Sequence, residues 1–229
     1  GFGAQALRIS NQHKSGSFGD QTISPQLSQP AGEALAATHF ESSFKIGTTK
    51  SIEQPGLNLS VSPDNGSGGR MSYLRFEEKA DGTHVIFAEA TDPGPLGTTA
   101  NFPEADIATL TRGTPHSVRF AIDFSPGPGN DVVKVFVDGT LRHTGGSWED
   151  YYRYDSEQAG GGNQLPATSG MIFLTRGEGG NGGVAGQGFL VDAVSMATAA
   201  PVTATVNDDT SGAGPAGSTL MTSTADSCN

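Results

Sequence analysis

The sequence of 229 residues predicts an all-β protein, an antiparallel two-sheet β-sandwich, and three observations lead to that fold class. Apolar and polar residues alternate with a period of two in most segments, which is typical of strands with one buried and one wet face. Glycine (33 residues) and proline (13 residues) are frequent, so the chain turns often. About ten such segments are too many for one flat sheet, whereas two packed sheets bury both apolar faces.

The turn signals place the strands in order along the chain. Asp81-Gly82 and Asp138-Gly139 are the dipeptides most typical of tight hairpins, so each is expected to join two neighbouring strands. Residues 15–25 are rich in turn formers and are expected to cross between strands. The strands are expected at residues 5–10, 39–47, 56–62, 70–80, 82–90, 116–124, 129–137, 139–145, 169–177 and 187–196.

The alternation also predicts which side chains face the core. On the segment 116–124 apolar residues occupy every second position, and 39–47 and 56–62 show the same pattern. Two short segments, 31–38 and 104–110, have a helix-like pattern instead. The side chains expected inside are Phe40, Phe44, Ile46, Leu57, Leu59, Val61, Val118, Phe120, Ile122 and Phe124.

The composition predicts two parts, a β-sandwich domain at 1–197 and a tail or linker at 198–229. The second part consists largely of Ala, Thr, Ser, Gly, Pro and Asp, lacks aromatic residues and cannot bury much surface. Within it, 200–207 alternates valine and alanine with threonine, which suits a strand that adds to an exposed sheet edge. Two hypotheses follow: a disordered linker, or self-association through this segment.

Charge narrows the range of partners. The net charge is −11, from 13 Lys and Arg against 24 Asp and Glu, and no basic cluster occurs. Nucleic acids and anionic lipids both require a positive patch, so neither is an expected partner. No apolar run approaches the ~18 residues of a membrane helix, so no membrane insertion is expected. The single cysteine, Cys228, leaves no internal disulfide.

An aromatic and acidic cluster follows the second hairpin. Aromatic faces stack on sugar rings while acidic, amide and Arg groups bind the hydroxyls. Trp148, Tyr151 and Arg153 are therefore candidate ligand-binding residues, with Tyr151 and Arg153 expected to face solvent. The alternative is structural: Ser147-x-x-Asp150 fits a capping box, which predicts a short helical turn on which Trp148 plugs the end of the sandwich.

A second candidate ligand-binding set is Tyr73, Arg75 and His84. Together with Glu77 they are expected on one face of the first hairpin, where a Tyr or His base and an Arg could serve a lyase acting beside a uronate carboxylate. The alternative is an ordinary solvated face with surface charges. A glycosidase needs carboxylates on one face, whereas the adjacent Glu77 and Glu78 point to opposite faces. No residue is therefore assigned a catalytic role.

Calcium is the one cofactor that the sequence allows. Loop carboxylates suit a hard cation, and the candidate metal ligands are Asp20, Glu33, Asp131 and Asp192. None of them belongs to a recognised calcium-loop spacing, and each also fits an ordinary turn residue.

Four stretches together resemble concanavalin A-like lectin/glucanase domains, including laminin G-like modules, of bacterial secreted proteins. They are "ALRISNQHKSGSFGDQTISP", "QPGLNLSVSPDNGSGGRMSYLRF", "PGNDVVKVFVDGTLRHTGGSWEDYYRYD" and "GFLVDAVSM". The resemblance covers roughly residues 4 to 196 and implies a jelly roll and an extracellular location. Such domains have an opening strand before "ALRIS", for which only 1–4 is present, so an unpaired sheet edge is expected.

These observations predict a secreted, non-catalytic binding or adhesion module, with carbohydrate as the expected ligand. Two alternatives stay open: a structural subunit of an extracellular or particle-surface assembly, and a polysaccharide lyase or glycoside hydrolase.

Overall fold

The structure is a computed structural model that describes residues 1–10, 21–23, 39–64, 69–158, 168–176 and 188–199. This part of the chain contains twelve strands, one α-helix and one 3₁₀ turn. None of its helices is both long and apolar enough to cross a bilayer. The elements are β1 Leu7–Ile9, β2 Gln21–Ile23, β3 His39–Thr48, β4 Asn58–Asp64, β5 Leu74–Lys79, β6 Gly82–Ala88, β7 Glu104–Leu110, β8 His116–Asp123, β9 Val132–Val137, β10 Thr140–Gly145, α1 Glu149–Tyr154, the 3₁₀ turn Ser156–Gln158, β11 Gly170–Arg176 and β12 Phe189–Ala199.

The strands form two six-stranded sheets, and each pair of neighbouring strands is antiparallel. The first sheet has the order β1-β12-β3-β8-β9-β10, and the second has the order β2-β11-β4-β5-β6-β7. Strands that are distant in sequence, such as β3, β8 and β12, are neighbours in the first sheet. This architecture confirms the predicted all-β jelly-roll sandwich of the concanavalin A-like type.

The core lies between the sheets, as the alternation predicted. Phe44 on β3 contacts Phe76 on β5 and Phe173 on β11 edge to face, with ring centroids 6.1 Å and 5.8 Å apart. One ring of the first sheet therefore meets two rings of the second. All ten side chains predicted to face inward are buried: Phe40, Phe44, Ile46, Leu57, Leu59, Val61, Val118, Phe120, Ile122 and Phe124.

Both predicted hairpins are present. In the β9–β10 turn Asp138 and Gly139 have φ of 50° and 74°, the left-handed pair that a tight type I′ turn requires. In the β5–β6 turn Lys79 pairs with Gly82, so the two turn residues are Ala80 and Asp81, one position earlier than the Asp-Gly signal indicated.

Three local expectations were wrong. The helix-like segment 104–110 is strand β7, because its acidic residues point away from the core while the alternate Ile107 packs against it. The crossing at 15–25 contains strand β2. Strand β4 is buried on both faces, since Ser60 and Ser62 are as inaccessible as their apolar neighbours. The other helix-like segment, 31–38, lies outside the described residues.

The described sheets end in four edge strands. These are β1 and β10 in the first sheet and β2 and β7 in the second. The last strand continues to Ala199, two residues beyond the predicted domain boundary. The segment 200–207, which the sequence marks as a candidate strand, lies outside the described residues.

Candidate functional site

The candidate site is built around α1, which follows β10 after the short connection 146–148. The predicted helical turn is present, but the capping box is not formed, because Trp148 occupies the N-cap position without a side-chain cap. Ser147 Oγ instead accepts a hydrogen bond from the Glu149 backbone N–H (3.1 Å) and donates one to Asp131 Oδ2 (2.5 Å). The segment 147–151 contributes to two surfaces, an aromatic patch and an acidic cavity.

The aromatic patch consists of Tyr73, Phe102, Trp148 and Tyr151. The indole of Trp148 stacks on Tyr73, with ring centroids 5.7 Å apart and planes 13° apart, and contacts Phe102 at 5.0 Å and Tyr151 at 6.0 Å. Its Nε1–H donates to the Ala88 carbonyl (2.9 Å). Trp148 and Tyr151 are half-buried against the core, whereas Phe102 is 45% exposed. One part of the patch therefore packs against the core, and the other part is open to solvent.

Tyr151 and Arg153 are half-buried, whereas the sequence predicted that both face solvent. Tyr151 Oη donates to Glu157 Oε2 (3.0 Å) and accepts from Gln158 Nε2 (3.2 Å). Arg153 forms ion pairs with Glu149 and with Asp150, the latter at 3.6 Å. The guanidinium is thus paired with two carboxylates of its own helix.

The acidic cavity measures about 460 Å³ and lies where the connections β6–β7, β8–β9 and β10–α1 meet. None of the described residues that line it is basic. Its five carboxyl groups belong to Glu89, Asp92, Asp131, Glu149 and Asp150.

The cavity carboxylates are only partly satisfied by hydrogen bonds. Asp131 accepts from the Ser125 backbone N–H (2.9 Å) and from Ser147, whereas Asp92 Oδ2, Glu149 Oε2 and Asp150 Oδ1 accept none from the described residues. Burial, with the repulsion of Asp131 second, raises the pKa of Glu149 to about 7. Burial also raises the pKa of Asp150.

The set Tyr73, Arg75 and His84 lies on the outer face of the second sheet, as predicted, but its polar groups are already paired. The Arg75 guanidinium donates two bonds to Glu104 (2.6 and 2.8 Å) and one to Glu77 (3.2 Å). Tyr73 Oη is bonded to Ser60 Oγ (2.7 Å) and its ring lies under Trp148. These residues are therefore engaged in ion pairs, hydrogen bonds and ring stacking rather than directed into an open substrate groove.

His84 is held between two carboxylates. Nε2 lies 2.8 Å from Asp81 Oδ1, and Nδ1 bonds to Asp106. The Asp106 bond is the main cause of a raised pKa for His84, so the imidazolium is favoured. In the same way Arg75 lowers the pKa of Glu104. A histidine stabilised in its charged form is a poor general base.

The two predicted calcium ligands that the structure describes, Asp131 and Asp192, are not brought together. Asp131 lines the acidic cavity, whereas Asp192 on β12 accepts bonds from the Gly3 and Ala193 backbone N–H groups (2.6 and 2.7 Å). Strands β3 and β8 lie between β12 and β9, so β12, which carries Asp192, and β9, which Asp131 precedes, are themselves about 14 Å apart at the usual strand spacing. Asp20 and Glu33 lie outside the described residues, and within those residues no three His, Cys, Asp or Glu side chains are placed to share a metal ion.

Sequence reasoning missed Phe102 and most of the acidic cavity. Phe102 lies in the β6–β7 connection, where no alternation marks it, and the cavity combines single acids from three connections. Only the run Glu149-Asp150 beside Trp148 gave any signal, and Asp131 was noted only as a calcium candidate.

No protein-family model and no curated protein matches this chain, whereas solved structures do. An endo-β-1,4-glucuronan lyase from the fungus Trichoderma reesei is 14% identical, with a TM-score of 0.49, and 86% of this chain and 82% of that chain are covered. An endo-1,3-β-glucanase from Streptomyces sioyaensis is 15% identical, with a TM-score of 0.48 and coverage of 86% and 76%. A sialidase is 13% identical at a TM-score of 0.41; 71% of this chain matches, which spans 13% of that chain. Likeness at this level concerns the fold and carries no argument about activity.

Proposed function

We propose that the protein is a carbohydrate-binding module and that the aromatic patch is its binding surface. The observation that supports this most is the exposure of Phe102 beside the half-buried rings of Trp148 and Tyr151. An aromatic ring at 45% exposure leaves apolar surface in water, and stacking on the C–H face of a sugar ring would cover it. The neighbouring rings fix the orientation of the platform before a ligand arrives.

Polar groups border the patch. The Tyr151 hydroxyl, Glu157 and Gln158 form a hydrogen-bonded set next to the rings. Glu157 Oε2 and the Gln158 amide are of the kind that bind sugar hydroxyls, which accept and donate alike. An apolar surface with such a rim suits a neutral or weakly polar glycan chain.

A non-catalytic role is part of the proposal. A lyase acting on uronates needs a cation to neutralise the substrate carboxylate and a base to remove a proton. Arg75 is already bonded to Glu104 and Glu77, and His84 to Asp106 and Asp81. These pairs support binding without turnover over the lyase alternative.

The test compares glycan binding of the natural chain with that of Phe102→Ala and Tyr151→Ala. Immobilised polysaccharides in affinity electrophoresis and a glycan array provide the readout. We expect Phe102→Ala to weaken binding at least tenfold, because covering an exposed phenylalanine side chain is worth about 1.5–3 kcal/mol. Leu141→Ala is the matched control, since Leu141 is 49% exposed on β10 and lies outside the patch.

Two results would contradict the proposal. One is a bound glycan whose affinity does not change in Phe102→Ala. The other is the appearance of unsaturated or reducing-end product from a polysaccharide, lost in Tyr73→Phe, which would make the protein an enzyme. Location outside the cell remains a prediction that fractionation of producing cells would test.

A further inference from the structure

The aromatic patch is surrounded by acidic side chains. Three of its four rings come from two segments, the β6–β7 connection 89–103, which contains Phe102, and residues 146–158, which contain Tyr151. The sequence of these two segments contains six carboxyl side chains, and its only basic side chain is Arg153. A ligand on the patch therefore lies in a negative potential, which repels anions.

Glu157 places an exposed carboxylate at the rim of the patch. Its Oε2 accepts from the Tyr151 hydroxyl (3.0 Å), and the Tyr151 ring centroid lies 5.5 Å from that of the exposed Phe102. The Glu157 backbone N–H donates to Asp155 Oδ1 (2.7 Å), which holds this turn of the chain in place. The carboxylate is therefore positioned beside the surface on which a sugar ring would stack.

The Tyr151 hydroxyl shows how this rim acts on a negative charge. Burial is the main cause that raises the pKa of Tyr151; the Gln158 bond lowers it, and the bond and charge of Glu157 and the charge of Asp155 raise it further. Both acids thus disfavour a negative charge on the phenolic oxygen. The carboxylate of a uronate sugar at the same rim would be disfavoured for the same reason.

Two arginines near the patch are already paired with carboxylates. Arg153 forms ion pairs with Glu149 and with Asp150, the latter at 3.6 Å. Arg75 is paired with Glu104 (2.6 Å) and with a second glutamate of its own strand. Either guanidinium would have to give up a partner in order to bind the carboxylate of a ligand.

Arg70 contacts the patch at its most buried ring. Its guanidinium carbon lies 5.8 Å from the centroid of Tyr73, which is 7% exposed and is stacked on Trp148. Glu157, in contrast, is bonded to Tyr151, which touches the exposed part of the patch. The carboxylate is therefore the charge that borders the open surface.

We propose that the aromatic patch selects neutral glycans over uronate-containing ones, and that Glu157 discriminates between them. This selectivity rests on the proposed function, because it concerns the ligand of the same surface. A neutral sugar stacks on the rings without bringing a charge, and its hydroxyls can donate to Glu157. A uronate brings a second negative charge close to that carboxylate, which is unfavourable.

The experiment uses a glycan array that carries neutral and uronate-containing glycans, followed by calorimetry on matched oligosaccharides. Glucan is paired with glucuronan and mannan with mannuronan, each pair having one linkage and differing only in the oxidation of the primary hydroxyl to a carboxylate. We expect the neutral member of a pair to bind about tenfold more tightly at low salt. The difference should shrink at about 1 M salt, where charges are screened within about 3 Å.

Variants test the role of Glu157. Glu157→Gln keeps the size of the side chain and removes its charge, so the ratio of glucuronan to glucan affinity should rise about fivefold, and Glu157→Lys should raise it further. Glu53→Gln is the matched control, because it removes an exposed acid from the β3–β4 connection. The neighbouring Gln54 N–H binds Glu78 at the far end of β5 from Tyr73, so this variant should leave the ratio unchanged.

The results separate the selectivity from the proposed function. Equal or tighter binding of the uronate member, or a ratio that Glu157→Gln changes no more than Glu53→Gln does, would overturn the selectivity while a carbohydrate-binding surface sensitive to Phe102→Ala remains. Absence of binding to every glycan on the array would instead contradict the proposed function itself, and the selectivity with it.

Discussion

Trp148 is held by neighbouring aromatic rings and one hydrogen bond. Its indole stacks on Tyr73, touches Phe102, and donates its N–H to the Ala88 carbonyl at 2.9 Å. The ring thus joins the β10–α1 connection to β6 and to the β6–β7 connection. Trp148 can therefore have the structural role that the sequence predicted and also support the binding surface that its neighbours form.

We expect Trp148→Ala to lower the free energy of unfolding by about 3 kcal/mol, because it removes a large packed ring and an indole hydrogen bond. Urea denaturation measures the loss. Tyr151→Phe is the control: it removes only the hydroxyl, whose bonds to Glu157 and Gln158 are near the surface, and should cost less than about 1 kcal/mol. An unchanged midpoint for Trp148→Ala would show that the ring does not stabilise the fold.

Glu149 makes stability depend on pH. Its pKa is about 7 in the folded chain against 4.5 ordinarily, so between these values the folded state binds more protons than the unfolded state. Stability therefore falls as pH rises through this interval, and the unfavourable contribution is complete above pH 7.

Glu149→Gln should remove this dependence. The amide keeps an acceptor for Arg153 and carries no charge opposite Asp131, so the variant should melt at a higher temperature than the natural chain near pH 8 and show a flatter profile from about pH 4.5 to 7. Melting curves across this range provide the measurement. Parallel profiles for the two proteins would show that the pKa of Glu149 is the same in the folded and in the unfolded chain.

At the scale of elements, a buried ion pair closes the end of the β5–β6 hairpin. The side chain of Glu78 accepts from Arg112 Nε (2.9 Å), the Gln54 backbone N–H (3.2 Å) and Thr83. Arg112 also donates to the carbonyls of the hairpin turn, including Gly82 at 3.2 Å. A carboxylate with this many donors ties β5, β6 and the β7–β8 connection together.

Glu78→Ala should destabilise the chain by about 3–5 kcal/mol, because it leaves the Arg112 guanidinium without its buried partner. The adjacent Glu77→Ala is a matched control. Glu77 pairs with Arg75 at 3.2 Å on the outer, partly exposed face, so its loss should cost less than about 1 kcal/mol. Thermal or urea unfolding of the pair provides the comparison, and equal losses would contradict the assigned difference in burial.

At the scale of the whole molecule, self-association remains a prediction from the sequence. The described sheets have free edges at β1, β2, β7 and β10, and a free edge can accept an added strand. If residues 200–207 fill that role in a neighbouring molecule, the chain forms concentration-dependent assemblies. Light scattering of the full chain and of a chain lacking 201–229 tests this. We expect assemblies that disappear when 201–229 is deleted. A monomer in both cases would contradict self-association through this segment.

The sequence is sufficient to predict the sandwich, the hairpins and the core faces, because these follow from local rules. Alternation with a period of two selects the buried side of a strand, and Asp138-Gly139 suits a turn that needs two positive φ values. It also placed Tyr73, Arg75 and His84 on one face, since their register follows from the β5–β6 hairpin.

The contacts of those residues, in contrast, depend on how distant segments pair in the folded chain. Glu104 and Asp106 reach Arg75 and His84 because β7 pairs beside β6, although 104–110 has a helix-like composition. The acidic cavity likewise depends on three connections that meet at one end of the sandwich. Contacts between segments far apart in the chain leave no local pattern, because each residue there fits an ordinary loop until the sheets bring the loops together.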